Sequence, residues 1–129
     1  MRGAILGATL AVMLASGATL AAHHSFAPFN MQGERTLNGT VKQFDWTNPH
    51  TWIWLDVPDG QGGVETWAIE GMSPNYLGRR GWSKSTFKAG DKISVVVHPL
   101  RDGSKGGMFM RATLADGRVL LQTGEPTEP

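Results

Sequence analysis

The residues able to bind a metal are few and unevenly placed. His23 and His24 stand side by side, His50 follows Asn48-Pro49, and His98 precedes Pro99; these are the only four histidines in 129 residues. Cysteine is absent, so no thiolate site, disulfide or Cys-His nucleophile can form. A near-planar set of nitrogen donors suits Cu(II) best among common divalent ions. A cut after Ala22 would let the new α-amino group and the His23 ring chelate one ion together, with a second imidazole completing the set. A cut after Ala21 would leave Ala22-His23-His24, whose amine, amides and third-position imidazole also wrap Cu(II) in a square. Both cuts favour copper, against the simpler reading of a polar arm that happens to carry two histidines.

His50 and His98 each adjoin a turn and a proline, where a lone histidine usually serves as a hydrogen-bonding residue. Taken with His23 and His24, they make a candidate rim site. Glu70 could supply a carboxylate ligand or an acceptor that orients an imidazole, or it could pair with Arg79, Arg80 or Arg101. Met108 and Met110 offer thioethers to Cu(I), though methionines at strand spacing also serve as core filler. No Ser-His-Asp nucleophile set is present, and residues 103–107 lack the strand-to-helix context of a phosphate loop. The reading is therefore non-enzymatic.

Three of the five tryptophans fall between residues 44 and 56. From Thr51 the chain alternates strictly: Thr51, Ile53, Leu55 and Val57 share one face, and His50, Trp52, Trp54 and Asp56 the other. The first face belongs to a core. The second carries two indoles and an imidazole, which offers a metal-free alternative: a stacking platform for a glycan or other envelope component, floored by Trp52 and Trp54. Trp46, Asn48, Asn75 and Arg101 are the further candidates for contact with that ligand. Trp67 reads as core.

The elements that position these groups begin after a leader. Arg2 gives a positive start, residues 4–14 are apolar, and Leu20-Ala21-Ala22 ends a run of small residues, the pattern of a secretory signal peptide over residues 1–22. The apolar run is shorter than the roughly 20 residues a spanning helix needs. The expectation is a periplasmic or secreted protein with no stable membrane anchor after cleavage. Its exported part would hold eleven basic and eleven acidic residues, and a neutral domain without a basic stripe argues against a nucleic-acid partner.

Residues 23–36 read as a histidine-containing arm, 37–122 as the folded domain and 123–129 as a disordered tail. Strands are expected at 37–44, 51–57, 64–70, 92–98, 108–114 and 119–121, with Gly39 a bulge or a close approach. A short helix over 73–80 is capped by Ser73, led by Pro74 and stopped by Gly81. Trp82 and Phe87 would then lie over a barrel end. Three strands, a helix and two more strands is the order of a five-stranded OB-like Greek-key barrel, an all-β fold with one short helix. A small β-sandwich is the alternative. In such a barrel the ligand face would be bounded by loops at 46–50, 70–75 and 98–107.

Six ordered segments also carry a resemblance: His23-His24-Ser25-Phe26, Trp46-Thr47-Asn48-Pro49-His50, Glu70-Gly71-Met72-Ser73-Pro74-Asn75, Arg79-Arg80-Gly81-Trp82, Lys88-Ala89-Gly90-Asp91 and His98-Pro99-Leu100-Arg101-Asp102-Gly103. Together they resemble a family of small secreted bacterial proteins known only as a domain of unknown function. The resemblance implies export in a Gram-negative bacterium and brings no activity with it.

Overall fold

The structure is a computed structural model that describes residues 26–123. The expected leader, His23, His24 and all of the expected tail but Thr123 lie outside the described residues. Those described form β1 (Arg35–Asp45), β2 (Trp52–Pro58), β3 (Val64–Glu70), α1 (Pro74–Gly78), β4 (Lys92–Pro99), β5 (Gly106–Thr113) and β6 (Val119–Leu121).

β1 is longer than expected because it serves two neighbours: residues 35–40 pair with β4 and residues 40–45 with β2. A register shift between Val41 and Gln43 bends it between those tasks. Gly39 is therefore not the bulge. It is a close approach, where any Cβ would strike the Asp56 carbonyl and the Leu55 side chain.

β2 pairs antiparallel with β3, β4 antiparallel with β5, and β3 lies parallel to β5 through Ala68–Gly106, Ile69–Gly107 and Glu70–Met108. That last pairing closes the ring β1-β2-β3-β5-β4. The fold is the five-stranded OB-like barrel, and a sandwich is excluded because closure joins the two sheet edges. β5 closes the barrel with its first three residues and takes β6 as an added strand along Arg111–Thr113.

Alternation sends Leu37, Ile53, Leu55, Ile69, Val95, Val97 and Phe109 inward, each no more than 3 % exposed. Trp67 joins them, as its place in the alternation requires. Trp82 meets the rings of Phe87 and Phe109 edge-on, with centroids 5.6 and 5.4 Å apart, the geometry the ring quadrupoles favour. The helix begins where the sequence places it. Ser73 Oγ accepts from the Tyr76 amide at 3.2 Å, and Pro74 occupies the first turn. It is shorter than expected, ending at Gly78, and the chain turns back through Gly81 in the left-handed region at φ 87°. No helix among the described residues is long and apolar enough to cross a membrane.

Candidate functional site

Two loops are fastened together by one buried polar residue. Thr51, just before β2, donates its amide and its hydroxyl to the Met72 carbonyl at 3.1 and 2.9 Å, and its own carbonyl accepts from the Gly71 amide at 2.8 Å. Three hydrogen bonds thus hold residues 70–73 against the turn that presents His50. Asn48-Pro49 is a cis peptide in that turn, and the Thr47 hydroxyl donates to the His50 carbonyl at 3.1 Å.

This latch positions the His50 ring. Its Nδ1 lies 3.1 Å from the Gly71 carbonyl oxygen and 3.4 Å from Glu70 Oε1. A carbonyl oxygen can only accept, so Nδ1 carries a proton and, in the neutral ring, Nε2 carries the lone pair. Glu70 is thereby the carboxylate that orients an imidazole. Among the described residues Glu70 faces His50 rather than Arg79, Arg80 or Arg101.

His50 and Glu70 line a cavity of about 450 Å³. Pro49, Met72 and Ser73 border it from the two latched loops, Tyr76 from α1, Met108 from the closing seam, and Phe26 and Phe29 from the segment before β1. That segment takes the side where the loop at 98–107 was expected. Phe29 forms a β-bridge with Leu100, the Asn30 amide donates to the Pro99 carbonyl at 2.8 Å, and the Arg101 amide donates to the Pro28 carbonyl at 2.9 Å. Arg101 also donates Nε to the Ala27 carbonyl at 3.1 Å. Arg101 is therefore a clamp on the arm, which lies along the start of the third loop while residues 101–105 stay exposed.

Strand register explains why His98 stands apart. Asp45 lies opposite Trp52, Trp52 opposite Glu70, Glu70 beside Met108, and Met108 opposite His98. These residues form one row across the outer face. With neighbouring strands about 4.8 Å apart, Glu70 and His98 stand on backbones separated by roughly 10 Å. His98 does not line the cavity, and its Nδ1 lies 2.7 Å from the Gly33 carbonyl oxygen, so it helps to dock the arm. Among the described residues no group of three or more His, Cys, Asp or Glu could hold a metal ion.

The remaining candidates divide between packing and surface. Trp46 is half-buried against the core and meets Phe44 edge-on at 5.9 Å. Asn48 and Asn75 are exposed, and neither lines the cavity. Trp52 and Trp54 are half-buried and stack on one another, with centroids 6.2 Å apart and planes 26° apart, and Trp54 Nε1 donates to Asp45 Oδ2 at 2.8 Å. Sequence reasoning missed Phe26, Phe29, Met72 and Tyr76 as cavity residues. The one signal, which pointed to Phe26 and Phe29 alone, was the pair of phenylalanines close behind His23-His24, too apolar for a solvated arm.

A family model described as "Family of unknown function (DUF6152)" matches residues 11–110. No curated protein and no solved structure matches the chain.

Proposed function

Because the chain belongs to that family of unknown function, we propose a role from its geometry: an exported, non-enzymatic copper-binding protein whose Cu(II) site forms between the arm and the barrel. The ligands are the α-amino group and ring of His23, the ring of His24 and Nε2 of His50. One observation carries this reading, the presence of Phe26 and His50 on the walls of the same cavity. Three residues of chain span at most about 11 Å, so the length of chain before Phe26 does not forbid a site shared with His50. The described part of the barrel offers His50 and Glu70 but no complete ligand set, and the arm supplies the missing nitrogens. Glu70, facing the protonated Nδ1, helps to hold the angle of the ring. His98 is left out of the set, because the arm uses it for docking.

The test starts from envelope protein whose intact mass begins at His23 or Ala22; a cytoplasmic species that keeps Met1 would remove the premise of export. Cu(II) titration followed by electron paramagnetic resonance should give a nitrogen-rich tetragonal signal. Affinity should fall at least about tenfold in His50→Ala and on placing a Met before His23, and by about tenfold in Glu70→Gln. His98→Ala should bind as the wild type does. Tight binding that survives His50→Ala would mean an adventitious terminal chelate, and no binding by the cleaved wild type would end the copper reading.

A second reading has one observation in its favour. The stacked, half-buried indoles of Trp52 and Trp54, the second anchored by Asp45, offer aromatic faces on which a glycan or other envelope component could stack. Tryptophan fluorescence that responds to such a ligand with metal removed would support it, and a flat response would discard it.

A further inference from the structure

We infer that the same cavity also holds Cu(I), bound by the thioethers of Met72 and Met108 together with His50. The inference rests on the copper reading above and extends it to a second oxidation state and a second ligand set. Four methionines lie among the described residues. Met31 is exposed and Met110 does not line the cavity, whereas Met72 and Met108 do, arriving from different elements beside His50, the one imidazole among the described residues that borders it. Met108 stands next to Glu70 in the β3–β5 pairing, and Met72 belongs to the loop that the Thr51 latch holds against His50. Met108 thus shares the cavity with Met72 rather than with Met110.

Two physical arguments favour the cuprous ion here. Thioether sulfur is a soft donor that selects Cu(I), whereas Cu(II) prefers a tetragonal set of nitrogen and oxygen. The remaining walls include Phe26, Phe29 and Tyr76, and the penalty for moving an ion out of water rises with the square of its charge, so an apolar cavity penalises a dication far more than a monocation. The thioether donors of Met72 and Met108 therefore suit Cu(I), and the nitrogen donors of the copper reading above suit Cu(II). The competing explanation is that both methionines only fill space, since Met72 packs against the core cluster.

Leucine fills nearly the same volume without the sulfur, so Met72→Leu/Met108→Leu separates ligation from filling. Under anaerobic conditions with ascorbate, Cu(I) affinity is read by competition with bicinchoninate, using cleaved protein both with a free terminus and with a Met before His23. Cu(I) affinity should fall at least about tenfold in the double variant, while Cu(II) affinity of the free-terminus protein stays within about twofold. Blocking the terminus should do the reverse. X-ray absorption of the Cu(I)-loaded wild type should show sulfur scatterers, a readout that holds even if the double variant unfolds. A shell of nitrogen and oxygen alone, or Cu(I) affinity unmoved by the double variant, overturns the inference while leaving the Cu(II) site standing. Sulfur-bound Cu(I) in a protein that takes up no Cu(II) would overturn the terminal site and leave this one intact.

Discussion

The outer wall of the barrel is one row of residues in register, yet its two halves have met different fates. At the β1–β2 side, Trp52 and Trp54 cover each other and Asp45 takes the Trp54 N–H. At the β3–β5–β4 side, Glu70, Met108 and His98 lie in register under or beside a segment from the far end of the chain, and Met108 is only 8 % exposed. The same alternation made both halves. The arm made the difference, because a strand face that gains a cover becomes a walled cavity, while one without remains a surface. Chemistry that needs water excluded and donors fixed belongs to the covered half.

That contrast can be broken most directly by removing the cover's anchor. Phe29 is 7 % exposed, and Phe29→Ala should lower stability by about 3 kcal/mol, the lower end for a large aromatic because the residue lies at the edge of the core. Urea denaturation measures it, with Phe29→Leu as a milder control. A loss below about 1 kcal/mol would mean that the arm is not part of the folded unit. Loosening the latch tests the same half more gently. Thr51→Val keeps the shape and removes the hydroxyl, and the Met72 carbonyl still accepts from the Thr51 amide, so no orphan acceptor is created and the loss should be about 1 kcal/mol. Such a variant should also weaken Cu(II) binding slightly, since the loop after Glu70 is held beside His50 by two hydrogen bonds, both backbone, instead of three.

The uncovered half should respond least. Trp54→Phe removes a hydrogen bond to Asp45 on a half-exposed side chain, where water can replace the lost partner, and should reduce stability by about 0.5 kcal/mol in the same denaturation assay. A loss as large as that for Phe29→Ala would show that the indole pair is structural core, and the two halves would no longer differ in kind.

Much of the scaffold was legible because it follows from local chemistry. β3 and β6 have the expected bounds, Thr51, Ile53 and Leu55 are buried as their alternation requires, and Ser73-Pro74 starts the helix. The bounds of β1 were too short, since a strand that pairs on both sides continues beyond its own apolar pattern. The site was legible only in part. His50 and Glu70 were singled out and do lie together, but Glu70 was expected to meet an arginine, and Arg101 and His98 hold the arm instead. Met72 gave no sign, because nothing in a loop residue's surroundings along the chain tells which wall it will reach.

The sequence by itself determined which residues face outward and which inward, where the turns fall and that the strands follow in barrel order, since period-two patterning and turn residues act over a few neighbours. Only the tertiary structure decided which outward residues are covered. The bonds that make the cover join residues 65 and 74 positions apart, from Gly33 to His98 and from Ala27 to Arg101. No local preference encodes such a meeting; it exists because β3 and β5 close the ring, which sets Met108 beside Glu70 in the cavity that Phe26 and Phe29 also line.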